Sequence, residues 1–213
     1  NGSTPIYASA AYNYLSGTST NTDVERKVLA TEGQVYQGDC AEGTRIHRFL
    51  KVVVEDGVWE GAARQNPTAL RRALSRQFSS SEHTIARASG LGSEFAAWAK
   101  SGYSVLPEKY LAAGCVRGIA DVYASKDDHV VVGEFKTRNA TPTDLWQVVT
   151  YLALAAVTGV ASYEASGTSY NIHSLSGLFE EACKSLATEE TFRKFTGVLV
   201  GRSISFYDLS AGD

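Results

Sequence analysis

Three charged residues stand close together in this chain. Asp121 closes Gly118-Ile119-Ala120-Asp121, and Glu134 and Lys136 lie in Gly133-Glu134-Phe135-Lys136-Thr137. Brought onto neighbouring strands, two acids and a lysine can bind a divalent cation through oxygen and set a positive charge beside a phosphate. Those are the needs of metal-dependent phosphodiester cleavage.

The flanking sequence is built to bring them together. Residues 116–124 and 129–137 are rich in β-branched and aromatic residues, with the polar break Ser125-Lys126-Asp127-Asp128 between them. This pattern predicts an antiparallel hairpin. A turn centred between Asp127 and Asp128, or a wider loop around the same centre, puts Asp121 opposite Glu134. Directly opposed residues have Cβ atoms roughly 4.5–5.5 Å apart, a spacing that one cation can bridge. Side chains alternate along a strand, so Glu134 and Lys136 share a face and Phe135 points the other way. The run Val130-Val131-Val132 predicts a second strand buried on both faces. The competing reading of Glu134 and Lys136 is a cross-strand salt bridge at a sheet edge.

A helix must follow. Thr141-Pro142-Thr143-Asp144 reads as its start, with Thr141 as N-cap, Pro142 in the first turn and Asp144 completing a capping box. Leu145, Val148, Val149, Leu152, Ala155 and Ala156 then recur at helical spacing. On that phase Gln147 and Tyr151 stack one turn apart, about 110–150° from the centre of the apolar face. There a Gln amide can bridge carboxylate and phosphate, and a Tyr can stack on a base or donate to a phosphate. The alternative is an ordinary solvated pair.

The set Gly118-x-x-Asp121, Glu134-x-Lys136-Thr137 and Gln147-x-x-x-Tyr151 resembles the PD-(D/E)xK nuclease superfamily. It is most similar to the RecB-like branch, which includes RecB-type exonuclease domains and mitochondrial genome maintenance exonucleases. Upstream, Gly43-Thr44-Arg45-Ile46-His47 resembles that branch's glycine-to-histidine helix motif. Ala120 stands where the superfamily's name has a proline, and Lys51 where many relatives carry an acid. The resemblance implies an α/β fold with a restriction-endonuclease-like core, a mixed central sheet flanked by helices. It implies Mg²⁺ or Mn²⁺ held by Asp121, Glu134, the Phe135 backbone carbonyl and His47. Lys136 would orient water or neutralise developing charge, and Gln147 and Tyr151 would position the strand. The implied activity is a DNA exonuclease acting on single-stranded or flapped ends. Two alternatives stand beside it: an RNA endonuclease like the cap-snatching domains of segmented negative-strand viruses, and a non-catalytic nucleic-acid-binding module on the same fold.

Length and composition set the frame. At 213 residues, with 44% hydrophobic and 20% charged residues, the chain reads as one domain with a sizeable core. Its first part, 1–100, is expected to be mainly helical, and 101–213 to hold the catalytic sheet and helices. Residues 4–33 read as a short helix and a loop, 42–54 and 94–100 as helices, and 104–111 as a first strand. A helix over 175–186 and one or two strands over 197–207 complete the order. Glu108, on the first strand, is a candidate third acid; the other reading is a surface charge. Net charge is −3, not the basic balance of a protein that coats nucleic acid. Yet Arg64, Arg71, Arg72, Arg76 and Arg87 cluster over 64–87, where Arg71, Arg72 and Arg76 could grip a phosphate backbone or form a solvated helix face. The three cysteines are far apart, which points to neither a disulfide framework nor a zinc site. Some RecB-like relatives carry a four-cysteine iron–sulfur cluster; three cysteines cannot supply it, so none is expected. Reduced thiols fit an intracellular setting. The chain shows no signal pattern and no membrane span, and its lack of any Met reads as a trimmed start.

Overall fold

The computed structural model describes residues 5–16, 98–99, 101–136, 139–159, 172–187, 194–200 and 204–209. His47, the arginines of 64–87, Lys51, Thr137 and most of the helices expected before residue 100 lie outside the described residues.

The alternating pattern after residue 103 folds as two successive hairpins. β2 (Ser104–Ala113) and β3 (Val116–Lys126) are antiparallel, joined at Gly114-Cys115. Gly114 has φ +57, and a Cβ there would stand 2.2 Å from the Ile172 carbonyl oxygen, so only glycine fits the turn. β4 (His129–Phe135) pairs antiparallel with β3 from Lys126↔His129 to Val122↔Gly133. The turn is therefore the two residues Asp127-Asp128, centred where the sequence put it, with Asp127 at φ +50. β5 (Lys194–Val200) runs parallel to β4, and β6 (Ile204–Leu209) antiparallel to β5. Val130, Val131 and Val132 are all buried, as expected of a strand paired on both edges and covered on both faces.

The N-terminal segment contains the short helix expected, preceded by elements the sequence did not show, and the expected loop after it lies outside the described residues. Ile6–Tyr7 forms a two-residue strand, β1, parallel to Val116 and Arg117, before a 3₁₀ turn (Ala8–Ala10) and the short helix α1 (Ala11–Ser16). Two residues are too few for alternation to show. The result is a mixed α/β sheet in the order β1-β3-β4-β5-β6, with β2 on the other edge of β3.

Helix α2 (Pro142–Thr158) crosses one face of this sheet. Its start is the capping box expected: the Asp144 Oδ2 accepts from the Thr141 backbone N–H at 2.8 Å and from the Thr141 hydroxyl at 2.9 Å. The core contains Val116, Ala120, Val130 and Val132 from the sheet with Val148, Tyr151, Leu152 and Leu154 from α2. Helix α3 (Leu175–Ala187) adds Leu178 and Ala182. Fully buried leucines such as Leu152 and Leu154 stabilise such a core by about 2 kcal/mol each. No helix among the described residues is long and apolar enough to cross a membrane.

Candidate functional site

β3 and β4 stop pairing just before the two acids. The last ladder pair is Val122↔Gly133, so Asp121 and Glu134 lie one position beyond it. The expected register is correct, but the expected ladder contact between the acids is not made. Instead the Phe135 backbone N–H donates to Asp121 Oδ2 at 2.8 Å, and the carboxylate takes the place of a strand partner. β4 remains joined to β5 here, with the Lys136 N–H donating to the Val200 carbonyl at 2.7 Å.

A second irregularity marks the same level of β3. Ala120 and Tyr123 both pack on the α2 side, three residues apart, so strict alternation breaks across Asp121. On β2 the pairs Pro107↔Val122 and Lys109↔Ala120 bracket Glu108, which has φ +48. Glu108 is thus set across from Asp121 by register, with its side chain exposed. Among the described strands β2 pairs with β3 alone, and Pro107 is accommodated at such an edge.

Glu134 and Lys136 share the α2 face. Glu134 is 3% exposed, and its Oε1 accepts from Lys136 Nζ at 2.7 Å. Phe135, also buried, lies outside the α2 cluster, on the opposite face as expected. Lys136 keeps about a fifth of its side chain exposed. Its ammonium also donates to Gln147 Oε1 at 3.1 Å and stands 3.7 Å from Asp144 Oδ1. The polar chain continues inward: Gln147 Nε2 donates to the Tyr151 oxygen at 3.0 Å, and the Tyr151 hydroxyl donates to the Ile119 carbonyl at 2.8 Å. Lysine has only donors, so it fixes which end of the Gln147 amide faces it, and every later bond follows that direction.

Gln147 and Tyr151 are therefore not on an open helix face. They are 6% and 2% exposed, which corrects the phase-based expectation. From Thr150 to Val157 every residue of α2 is buried, so the helix has no solvated side there for an apolar-face vector to define. Gly118 has its reason here: a Cβ would stand 2.6 Å from Tyr151 Cε1 and 2.9 Å from the Ala8 Cβ. Glycine lets the ring lie against β3 and its hydroxyl reach Ile119.

Asp144 joins the site in a role beyond the capping role read from the sequence. It is 1% exposed and faces Lys136 with one oxygen while capping α2 with the other. The signal was present in the spacing: 144, 147 and 151 fall on one helical stripe.

Electrostatics follow from this packing. Burial pushes the Lys136 ammonium towards a lower pKa, but Glu134, then Asp121 and Asp144, outweigh it and hold the pKa above the ordinary lysine value. Burial, then the negative charges of Glu134 and Asp121, push the Tyr151 phenol well above its ordinary value against the opposing Gln147 hydrogen bond. Lys136 stays charged and Tyr151 neutral through the physiological range.

Among the described residues, no three of His, Cys, Asp and Glu are grouped to hold a metal ion. A ligand set of Asp121, Glu134 and a main-chain carbonyl contains two such residues, and the proposed fourth ligand, His47, is outside the described residues. Cys115, buried, and Cys183, exposed, are free. No protein-family model, no curated protein and no solved structure matches the chain.

Proposed function

We propose that the chain is a divalent-metal-dependent nuclease with a restriction-endonuclease-like core, hydrolysing phosphodiester bonds of DNA from single-stranded or flapped ends. One observation carries the reading: Asp121 and Glu134 stand just past the last pair of β3 and β4, both acting on the ammonium of Lys136. The donors offered there, two carboxylates and the Phe135 carbonyl, are hard oxygens and fit Mg²⁺ or Mn²⁺. When bound, such a cation supplies Lewis acidity towards the scissile phosphate and its attacking water.

The protein's own groups do the rest. Asp121 is oriented by the Phe135 N–H. Lys136 is anchored by Glu134 and Gln147, with part of its side chain still at the surface, so its charge can meet a phosphate oxygen. Gln147 and Tyr151 act as positioning residues, holding the lysine from within the core rather than touching the strand. Arg71, Arg72 and Arg76 would hold the nucleic-acid backbone.

A second reading is favoured by the closed chain from Glu134 through Lys136, Gln147 and Tyr151 to Ile119. Such a chain also suits a non-catalytic nucleic-acid-binding module in which these groups are a buried structural network. Calorimetric titration with Mn²⁺ separates the two. The nuclease reading expects saturable binding that is lost in Asp121→Asn. No heat of binding in the unmodified protein would favour the module.

A further inference from the structure

The α2 face of the sheet carries a second lysine that the proposed chemistry leaves unused. Lys109 of β2 is directly opposed to Ala120 of β3, and Ala120 belongs to the core beneath α2, so Lys109 stands on that face. Its ammonium lies 5.8 Å from the centre of the Tyr123 ring, which packs on the same face. Along β3, Asp121 falls between Ala120 and Tyr123. The Lys109 side chain is rooted level with Ala120 and ends over Tyr123, so it passes the level of Asp121. Lys109 is exposed and Asp121 half-buried, whereas Glu134 and Asp144 are buried. The open side of the acid cluster is thus the β2 side, and Lys109 stands at its rim.

That side needs positive charge if a phosphodiester is to approach it. Asp121, Glu134 and Asp144 outnumber Lys136 in the cluster, and the Lys136 ammonium is already bonded to Glu134 and Gln147. β2 and β4 lie on either side of β3, so Lys109 and Lys136 are rooted about 10 Å apart, two strand spacings. Their ammoniums are held by different groups, one by Glu134 and Gln147 and the other against Tyr123. Two cations so separated serve two phosphates of one strand rather than a single phosphate, each as a point charge.

Resting on the nuclease reading, we propose that Lys109 is a substrate-binding residue that meets the phosphate next to the scissile one, so that the backbone of a single strand crosses the sheet from the Lys136 side towards β2. The contact is to the backbone alone, so it adds affinity without sequence preference.

The test is fluorescence anisotropy of labelled oligothymidylate and oligoadenylate with the full chain in EDTA, where cleavage plays no part. Lys109→Ala weakens binding of both about fivefold at about 0.1 M salt and makes the salt dependence shallower by about 0.7 in log–log slope, the loss of one phosphate contact. Lys109→Arg keeps affinity and slope close to those of the unmodified protein. Both variants keep their melting temperature because the side chain is exposed. Lys184→Ala removes an exposed lysine of α3 that is paired with Glu180 and Glu181, and it changes neither quantity. The assignment is overturned if Lys109→Ala binds like the unmodified protein with the same slope, or if it weakens only one of the two oligomers. It is equally overturned if Lys184→Ala has the same effect, because the loss would then be one of overall charge, or if the unmodified protein binds neither oligomer. The nuclease reading fails separately: a protein that needs Lys109 for binding but cleaves nothing with Mg²⁺ or Mn²⁺ keeps the phosphate contact and loses the catalysis.

Discussion

At one end of β4 the His129 imidazole lies between two hydroxyls, Tyr103 at 2.6 Å and Thr196 at 2.8 Å. At the other end the Glu134 carboxylate lies 2.7 Å from the Lys136 ammonium, with Asp121 and Asp144 close by. The first end is paired on both sides, to Lys126 of β3 and Lys194 of β5. At the second, β3 has stopped pairing with β4, and among the described strands β5 alone remains its partner. Hydroxyls and an imidazole suffice where the ladder is complete, because each bond replaces one made to water at little net cost. Charges are gathered where the ladder opens. Burying them is expensive, and their partners must be arranged in three dimensions rather than along a strand. The open end is thus the one that gives up sheet hydrogen bonds to hold a charged cluster, the pattern expected of a site rather than a scaffold.

Substitutions at the two ends should separate them. The largest effect on stability is expected from Lys136→Met, which keeps the stem but leaves Glu134 buried without its cation. Urea unfolding should show a loss of about 3 kcal/mol. Gly118→Ala drives a methyl into the Tyr151 ring and should cost about 2 kcal/mol by the same measurement. Thr196→Val, at the His129 end, removes one hydrogen bond and should cost only about 1 kcal/mol. Equal losses for Lys136→Met and Thr196→Val would remove the distinction between the ends.

The smallest effect is in the pH profile. The folded-state pKa values of Tyr151 and Lys136 are both raised, so the folded protein holds both protons more tightly than the unfolded chain. That stability is fully present below the ordinary values of 10.0 and 10.5 and is lost as pH rises through the folded values. Tyr151→Phe should flatten the alkaline fall in stability above about pH 10, besides losing about 1 kcal/mol with the bond to Ile119. An unchanged alkaline slope would mean that Tyr151 does not titrate with unfolding.

The hairpin register was legible because it depends only on turn position and alternation, and both are written in the residues from 116 to 135. The start of α2 was legible because Thr141, Pro142 and Asp144 report a local hydrogen-bond pattern. The end of the β3–β4 ladder was not. Alternation says which residues would face each other, not whether the strands stay together, and here the Asp121 side chain replaces the next rung. The burial of Gln147 and Tyr151 was missed for a related reason. Helical phase locates the most apolar side, but α2 is enclosed by the sheet, the N-terminal turn and α3 together. Asp144 was read for its nearest partner alone, and its second partner, Lys136, comes from a different element.

The central claim is that Asp121, Glu134 and Lys136 together cleave phosphodiester bonds. End-labelled linear and circular single-stranded DNA, beside RNA of the same sequence, incubated with Mg²⁺ or Mn²⁺ and resolved on a gel, tests it most directly. The account predicts that linear DNA is degraded and circles persist, and that Asp121→Ala lowers the rate by about a hundredfold or more while the protein remains folded. No cleavage of any substrate by the unmodified chain, or an Asp121→Ala variant as active as the unmodified chain, would contradict it.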